Sequence, residues 1–483
     1  MPQTYALGFN DAGRFTMFPG VSSHINAEAL DAVEQGPTGI VAILGIGAGF
    51  LEPKKVTSLP LALGSPARMI APSDLLEAAK FAVRPFQDLD RAVAQVLVVP
   101  VTPATHSQLE LMAGASVTLT LISAGWGLKM NELVASVVGT RLTIKFATAN
   151  IVEVYDQTGT VEELAAAIKA RSAIVQATFG TEGAIDPLPE TAFTGGTEPA
   201  ATPTDWEDAL NALSGIRVNC ITVVSPSAVI HSMLAAYCVL KRARGFIGSD
   251  FHNWNGVANR QTSLAELAAE AAALNERRLM HIGLGAEGKA PYIAAARYAA
   301  LAGALEPSVP MTRKLLGFAS LEAILDVDTE IGGVDGALIN GIAMPAQDPA
   351  ALGTFMVSRG LSTMVSSANL YDREHSILAA VDAIQFECEL QLRTLLGGEG
   401  TANAVRRGVE KVDTVLSRAT RPTSAIRIVS YKRESIVGHL DGTVLHIAAT
   451  FTPIEPINWI RLGMNLERTD ITINLERDLA AAA

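Results

Sequence analysis

Strand-like and helix-like segments alternate between residues 205 and 275, and this alternation limits the folds that the chain can adopt. Residues 218–224 form a short apolar run typical of a buried strand, and residues 264–275 form an Ala-rich helix. In chain order the segments are a helix at 205–213, a strand at 218–224, a helix at 227–242, the end of a strand at 246–247 and a helix at 264–275. Because helices between successive strands are typical of crossover connections, the pattern predicts an α/β layer with a mostly parallel sheet.

The chain before residue 186 has more β character. The segments in this part are strands at 39–44, 94–101, 117–123, 141–146 and 151–155, and helices at 74–81 and 161–171. Thr160 is the predicted N-cap of the second of these helices. Residues 186–204 are rich in Pro, Thr, Gly and Glu, which predicts a boundary between domains. The expected fold class is therefore α/β (α+β), with several domains.

The composition is that of a folded protein and argues against several functions. With 483 residues, 49% of them hydrophobic and 18% charged, the chain has room for two to four domains of about 100–200 residues. A net charge of 37 − 49 = −12 makes it a poor general binder of nucleic acid. We therefore expect no direct nucleic-acid binding. Neither a signal peptide nor an apolar stretch of about 18 residues is present, so no membrane insertion is expected.

A glycine-rich turn at residues 45–49 follows the first buried strand and has some similarity to a dinucleotide-binding loop. The dinucleotide fingerprint needs GxGxxG at the start of a helix. Pro53 would lie inside any helix that began here. We interpret the turn as the end of a strand. The alternative is an α/β enzyme whose glycine turn binds a nucleotide.

No other pattern of catalytic or metal-binding residues stands out. The chain contains no HExxH, GxSxG or Walker-type GxxxxGK[ST] sequence. His439 and His446 are seven residues apart, but Asp441-Gly442 lies between them and predicts a hairpin. We expect no catalytic residues, no bound metal and no cofactor.

Acidic residues and cysteines also have structural interpretations. Asp205, Glu207 and Asp208 lie at the start of a predicted helix, where negative charge suits the helix dipole. The cysteines are too far apart to suggest a disulfide framework or a zinc site, which favours buried thiols. They are Cys220, Cys238 and Cys388.

The C-terminal third contains an unusual concentration of positive charge. Apolar residues at helical spacing predict helices at 377–395 and 401–419, and strand-like segments follow at 426–430 and 444–450. Residues 401–433 carry eight Lys and Arg against two acidic residues, or 8 − 2 = +6. This is either a solvated helix face or a binding face for an acidic partner. Four of its cations lie on the predicted helix: Arg406, Arg407, Lys411 and Arg418.

Both ends of the chain have strand-like patterns without an evident partner in the same molecule. The alternating apolar residues are Tyr5, Leu7, Phe9, Phe15 and Met17 at one end, and Ile471, Ile473 and Leu475 at the other. A lone short strand is unstable in water. A neighbouring copy of the protein is therefore the expected partner.

Several segments spread along the chain share their order and sequence character with one known family. They are Phe18-Pro19-Gly20-Val21, residues 38–45, Gly125-Trp126-Gly127, residues 193–197 with Asp205-Trp206 and Ala209-Leu210, residues 299–307, and Phe451-Thr452-Pro453-Ile454 with the terminal strand. In these segments the chain resembles the tail sheath proteins of contractile-tailed phages, and the related sheaths of phage-tail-like bacteriocins and type VI secretion. It departs from the family pattern at residues 196–199, where many members have a further glycine.

The resemblance implies a structural protein rather than an enzyme. Sheath subunits stack as homo-hexameric rings around an inner tube, and their N- and C-terminal arms add strands to neighbouring copies. The sheath contracts and drives the tube through the envelope of a target cell. The implied partners are the protein itself, the tail tube protein, and the baseplate and tail terminator proteins. The implied location is the contractile tail of a virion, assembled in the host cytoplasm.

The same resemblance implies a division into domains and a role for the charged helix. The expected units are an N-terminal arm (1–36), the first part of the core (37–60), a protruding β-rich domain (61–185), a linker (186–204), the α/β core with a tube-facing helix (205–460) and a C-terminal arm (461–483). Arg406, Arg407, Lys411 and Arg418 are the expected tube-binding residues. Besides the nucleotide-binding enzyme, another self-assembling shell protein, such as a capsid component, stays open as an alternative.

Overall fold

The computed structural model of the protein describes residues 9–11, 14–16, 39–59, 70–86, 89, 93–325, 333–348, 351–367, 369–422, 424 and 426–456. The first elements are β1 (Phe9–Asp11), β2 (Arg14–Thr16), β3 (Ile40–Gly45), β4 (Thr57–Leu59), α1 (Asp74–Val83) and β5 (Gln95–Pro100). They are followed by β6 (His106–Ala113), β7 (Ser116–Trp126), β8 (Leu133–Val138), β9 (Arg141–Phe146), β10 (Ile151–Asp156), α2 (Val161–Arg171), β11 (Val175–Phe179) and β12 (Leu188–Ala192).

Strands and helices then alternate. These elements are α3 (Pro203–Ala212), β13 (Cys220–Val224), α4 (Ala228–Lys241), β14 (Arg244–Gly248), α5 (Val257–Leu274), β15 (Leu279–Ile282), α6 (Pro291–Ala304), α7 (Val334–Ile339), β16 (Ile342–Ala343), β17 (Pro345–Gln347) and β18 (Phe355–Val357). The C-terminal part contains α8 (Leu370–Arg373), α9 (His375–Leu392), α10 (Ala402–Ala419), β19 (Ile428–Tyr431), β20 (Val437–Asp441), β21 (Val444–Ala448) and β22 (Phe451–Pro453).

A seven-stranded sheet in the order β16-β15-β14-β13-β3-β5-β4 forms the centre of the fold. Its strands run parallel except for β4, which pairs antiparallel with β5. Side chains of β3 alternate between the two faces: Val41 and Ile43 pack with α1 and α6, whereas Ala42 and Leu44 pack with α3 and α4. The predicted α/β layer with a mostly parallel sheet is thereby confirmed.

Helix α6 is apolar on every side and lies in the centre of one layer. All of its residues except Tyr292 are buried. This is the pattern of a helix packed on all faces rather than on one stripe. Gly303 permits close packing on the sheet, since a Cβ there would lie 2.6 Å from Cγ2 of Val41. Of the helices in the described residues, none is both long and apolar enough to cross a membrane.

Arg297 places a fully buried cation in the middle of α6. Its guanidinium donates hydrogen bonds to the carbonyl oxygens of Leu316 (2.6 Å), Phe81 (3.3 Å), Pro85 (3.0 Å) and Arg84. Three of these carbonyls belong to the end of α1 or the residues just after it. Carbonyls at a helix C-terminus carry partial negative charge. The buried cation therefore connects α1 to α6.

Residues between β5 and α3 form a separate apolar core in an inserted β domain, defined as β6 to β12 with α2. It contains a three-stranded sheet (β11-β7-β6) and a four-stranded sheet (β10-β9-β8-β12), both antiparallel. Apolar residues of both sheets and of α2 pack together. Thr160 caps α2 as predicted: its hydroxyl accepts from the Glu163 amide (3.1 Å), and the Glu163 carboxylate accepts from the Thr160 amide (3.1 Å).

Two segments lie elsewhere than the sequence patterns indicated. The strand at 95–100, expected in the protruding domain, is β5 and pairs with β3 in the central sheet. Residues 188–192, expected in a linker, form β12 at the edge of the four-stranded sheet. Pro189 tolerates that position because an edge strand does not need every amide, and the register shifts beside it. The division into domains otherwise stays a prediction.

The C-terminal part packs two long helices against two short antiparallel sheets. The predicted helices correspond to α9 and α10, and α10 packs on α9 and on the β20–β21 hairpin. The predicted hairpin is also confirmed: His439 pairs with His446, and their rings stack at a centroid distance of 4.6 Å. No group of three or more His, Cys, Asp or Glu residues in the described part of the chain has metal-binding geometry.

Helix α9 is anchored to the central sheet by buried ion pairs. Arg278, next to β15, donates to both carboxylate oxygens of Asp382 on α9, at 3.1 and 3.3 Å. The side chains are 4% and 7% exposed, so water screens the pair little. Arg359 pairs with Glu374 at the start of α9 (3.2 Å). Through α9, these contacts also fix the position of α10.

Two fully buried histidines are held neutral. Burial, with smaller contributions from the neighbouring His231 and His252, lowers the pKa of His281 to about 3. Burial also lowers the pKa of His375 to about 3, with Arg244 and Arg278 contributing. In the unfolded chain both rings would bind a proton below about pH 6.5.

We predict that replacing Asp382 with Ala lowers the free energy of unfolding by about 3–5 kcal/mol, because a buried cation loses its carboxylate partner. Chemical denaturation measures the change. The matched control is Glu410→Ala, which removes an exposed ion pair with Arg406. That variant should lose less than about 1 kcal/mol. Equal losses in the two variants would contradict the anchoring role.

We also predict that the free energy of unfolding changes little between pH 7.5 and 6.5 and falls as the pH drops toward 3. Below 6.5 the unfolded state binds protons that the folded state does not, so each buried histidine contributes a slope of up to about 1.4 kcal/mol per pH unit. Denaturant titrations between pH 7.5 and 5 measure the slope. His281→Asn should reduce the slope, because His375 still contributes. Equal slopes in this variant and in the unsubstituted protein would refute the prediction.

Candidate functional site

Helix α10 presents the cluster of positive charge that the sequence singled out. Its first turn is capped by the Thr401 hydroxyl, which accepts from the Ala404 amide (3.4 Å). Its buried face consists of Gly408, Val412, Val415, Leu416 and Ala419. A Cβ on Gly408 would lie 2.5 Å from Cδ1 of Ile447, so glycine permits close packing of the β20–β21 hairpin. The helix is therefore fixed along one face and open along the other.

Three of the four predicted tube-binding cations share one line along α10. At roughly 100° per residue, Arg407, Lys411 and Arg418 lie within about 40° of one another around the helix axis. Arg407 and Arg418 are exposed, and Lys411 is half-buried. We call these three residues the basic stripe. The stripe runs along the flank of the buried face.

Arg406 differs from the residues of the basic stripe. It lies about 100° away from Arg407 around the helix. Its Nε is 3.6 Å from the Glu410 carboxylate, and its guanidinium also reaches the Asn403 side chain at 3.5 Å. The charge of Arg406 is therefore partly balanced on its own helix.

A neighbouring cation balances the other acidic residue of this region. Arg433 lies 3.1 Å from the Asp413 carboxylate, and the Tyr431 hydroxyl donates to Asp413 at 2.8 Å. Sequence spacing gave no sign of this group, because Asp413 lies on α10 and the other two residues lie in or after β19. With both acids of the region paired, the basic stripe keeps its excess of positive charge.

The short C-terminal sheets expose strand edges. Within the described residues, β19 and β22 have each other as their sole strand partner, as do β20 and β21. Val429 on β19 is 62% exposed. Two-stranded sheets are marginal by themselves and have free backbone donors and acceptors along both edges. These edges can accept further strands.

The predicted arm residues fall largely outside the described residues. Tyr5, Leu7, Met17, Ile471, Ile473 and Leu475 all lie there. Phe9 and Phe15 are described as parts of β1 and β2, which pair with each other in an antiparallel hairpin. The exchange of these strands between copies remains a prediction.

The glycine turn at 45–49 is bound by other parts of the protein. The Gly49 amide donates to the carbonyl of Trp126 (3.1 Å), and the Trp126 amide donates back to Gly49 (2.7 Å). The Gly47 amide donates to the Thr102 hydroxyl (3.0 Å). A phosphate-binding loop needs amides that point at the ligand. Since these amides are already bonded, the turn does not have the geometry that the nucleotide-binding alternative requires.

Thr105 forms hydrogen bonds between the two chain segments that connect the inserted β domain to the central sheet. Its hydroxyl donates to the Gly195 carbonyl (2.8 Å) and accepts from the Thr197 amide (2.9 Å). The Asn131 side chain bonds both the carbonyl (2.9 Å) and the amide (3.0 Å) of Gly196. Several segments that carry the family resemblance therefore meet in one place. We call it the junction, defined as residues 45–49, 102–105, 125–131 and 193–208.

Lys54 adds an electrostatic contact at the junction. Its ammonium group lies 2.8 Å from both Asp205 and Asp208. The hydrogen bond from Lys54, followed by those from the hydroxyl and amide of Thr202, lowers the pKa of Asp205 to about 2. Asp205 also accepts from Thr202 at the start of α3, so the predicted role at the helix start is confirmed. Lys54 was not predicted, because its partners lie about 150 residues further along the chain.

We predict that Gly125→Ala destabilises the junction, because the new Cβ would lie 2.6 Å from Sδ of Met130 and 2.7 Å from the Gly49 carbonyl oxygen. Overpacking of this kind costs about 1–3 kcal/mol. Thermal or urea unfolding measures the loss. Gly215→Ala is the control, since a Cβ there has open space around it. If Gly125→Ala were as stable as the control, the close approach of Gly125 to Gly49 would be refuted.

No protein-family model and no curated protein matches the sequence. Solved structures are similar. A sheath tail protein from Desulfitobacterium hafniense has a TM-score of 0.64 at 14% identity, covering 91% of this chain and 97% of its own. A sheath tail protein from Listeria innocua has a TM-score of 0.61 at 14% identity, and the match covers 88% of this chain and 94% of the Listeria chain. The helical sheath of the anti-feeding prophage in its contracted state has a TM-score of 0.49 at 10% identity, and the match covers 94% of this chain and 100% of the prophage chain.

The likeness to the first two structures extends over nearly the whole length of both chains, and thus includes the central sheet, the inserted β domain and the C-terminal helices. At 14% identity it concerns the fold. The chain has the fold of the sheath tail proteins.

Proposed function

We propose that this protein is the structural subunit of a contractile tail sheath. Copies stack as hexameric rings around an inner tube, and contraction of the sheath drives the tube through a target envelope. The observation that carries the proposal is the likeness of fold to two sheath tail proteins, with 97% and 94% of their chains covered. A likeness that included only the α/β layer would carry far less weight, because that layer occurs with many functions.

The exposed strand edges support a role in self-assembly. Strand addition uses backbone hydrogen bonds, so it links copies without a large complementary side-chain surface. Of the strands that the structure describes, β22 is the last one before the segment that carries Ile471, Ile473 and Leu475. A head-to-tail exchange of such strands that does not close on itself builds a helical array. The partners in this array are further copies of the protein, with baseplate and terminator proteins at its ends.

The basic stripe supports a contact with an acidic tube. Exposed ion pairs contribute only about 0–1 kcal/mol each. Such pairs hold a sheath on a tube when many copies bind together, and they release when the copies move together. The buried pair between Arg278 and Asp382 suits this role, because it connects the helix pair α9–α10 to the central sheet.

We predict that charge reversal in the stripe, with Arg407→Glu and Lys411→Glu, leaves the fold intact but reduces sheath assembly on tubes. Like charges at the interface would oppose binding. Co-sedimentation with purified tubes, read beside circular dichroism, measures both properties. Lys169→Glu, on the exposed face of α2, is the matched control. Arg406→Glu should have a smaller effect than Arg407→Glu, since Glu410 already pairs with Arg406. Normal tube binding by the stripe variant would contradict the tube-facing role.

We predict that deletion of residues 470–483 leaves a folded monomer that does not polymerise, because the strand formed by Ile471, Ile473 and Leu475 is lost. Sedimentation velocity and electron microscopy measure the outcome. Deletion of residues 480–483 removes only alanines and is the control. If the variant that lacks residues 470–483 still formed polymers, the proposed role of the C-terminal arm in assembly would be contradicted.

A further inference from the structure

Two Asn-Gly pairs occur in the sequence, and the structure holds them differently. They are Asn255-Gly256, immediately before α5, and Asn340-Gly341, immediately after α7. An asparagine followed by glycine loses ammonia without a catalyst, because glycine has no side chain to hinder attack by its own backbone nitrogen. The attack needs an asparagine side chain that turns toward the next residue and a backbone amide that is not held elsewhere. The two pairs differ in both respects.

The reacting groups of the first pair are open to solvent. Asn255 and Gly256 are exposed, and a Cβ on Gly256 would have nothing within 4 Å. Two hydrogen bonds hold the backbone of Asn255: its amide donates to the Asn253 side chain (3.0 Å), and its carbonyl accepts from the Asn259 side chain (2.7 Å). Among the described residues, no hydrogen-bond partner holds the Asn255 carboxamide or the Gly256 amide. The attacking nitrogen and its target are therefore adjacent and unengaged.

Both reacting groups of the second pair are held. The Asn340 carboxamide donates to the Gly336 carbonyl (2.8 Å). The Gly341 amide donates to the Leu338 carbonyl (3.1 Å). Gly341 is buried, and a Cβ there would lie 2.8 Å from Cγ1 of Val365. Two hydrogen bonds must therefore open, and a buried turn must move, before the nitrogen of Gly341 reaches the Asn340 side chain.

We propose that Asn255 is a site of spontaneous deamidation and that the fold protects Asn340. The Gly256 amide gives its proton to solvent, and its nitrogen bonds to Cγ of Asn255. The Cγ–Nδ2 bond then breaks, and Nδ2 takes up a proton and leaves as ammonia. The product is a succinimide ring between the two residues.

Water opens this ring in either of two ways. Addition of water at Cγ gives Asp, and addition at the backbone carbonyl carbon of residue 255 gives isoaspartate, in which the chain runs through the former side chain. The net change is the uptake of one water and the loss of one ammonia, with no transfer of electrons. This chemistry requires only the folded chain and water, whatever the protein assembles into.

The conversion alters the start of α5. The N-cap of this 18-residue helix is Gly256, which forms no side-chain cap, and the first turn contains no acidic residue. Negative charge is favourable beside the positive end of a helix. An Asp product at position 255 therefore fits the fold, whereas isoaspartate puts an additional backbone carbon ahead of the helix.

Peptide mapping by mass spectrometry, during incubation of the purified, unassembled full-length chain at mildly alkaline pH, measures both conversions. We expect Asn255 to convert at least about ten-fold faster than Asn340, because two hydrogen bonds must open before the second pair reacts. Part of the product at position 255 should be isoaspartate. Direct hydrolysis of the carboxamide gives Asp alone, so isoaspartate identifies the succinimide route.

The same chain unfolded in urea is the matched control, since both Asn-Gly pairs should then convert at similar rates. Equal rates for the two asparagines in the folded chain would overturn the proposal. Conversion of Asn255 to Asp without isoaspartate would also overturn it. A folded chain that converts at neither position, while the unfolded chain converts at both, would show that the fold protects Asn255 as well and would refute the site.

Discussion

Burial of α6 on all sides is the constraint on which the rest of the structure depends. The helix packs on both α1 and the sheet, and its close approach to the sheet requires Gly303 opposite Val41. Its one charged residue is the buried Arg297, whose guanidinium donates to carbonyls at the end of α1 and just after it. A cation in that place is tolerable because hydrogen bonds surround it. α1 and α6 thereby form one helical layer that packs on the sheet.

Other parts of the molecule are attached to this layer by polar contacts in defined places. Arg278 and Asp382 fasten α9, and α10 packs on α9. At the junction, Thr105 and Asn131 hold the two segments that lead into the inserted β domain. Such contacts are directional, so they restrict rotation of the attached parts more than apolar packing does. In the proposed contraction, a body fastened in this way would turn as a unit.

The sequence patterns predicted the elements whose signal is local. Helices α9 and α10 follow from apolar stripes, the hairpin at 441–442 from an Asp-Gly turn, and α2 from the Thr160 cap. Such local patterns do not predict which strands pair when they are far apart in the sequence. The sequence of β5 is compatible with a buried strand in either domain. Its pairing with β3 places it in the central sheet. Strand β12 contains Pro189, which argues against a strand wherever its edge position is unknown.

The features of the candidate surfaces also differ in whether local sequence spacing predicts them. The spacing of Arg407, Lys411 and Arg418 was sufficient to predict one cationic line, since helical geometry alone relates these residues. The pairing of Asp413 with Arg433 depends on a tertiary contact. An isolated arginine in a sequence gives no sign of such a pair.

Electron microscopy of the purified full-length protein, alone and with tail tubes, tests most directly whether this chain is a sheath subunit. We expect striated cylinders with helical order, built from hexameric rings. Discrete particles or closed shells under the same conditions, at concentrations where sheath proteins polymerise, would contradict it.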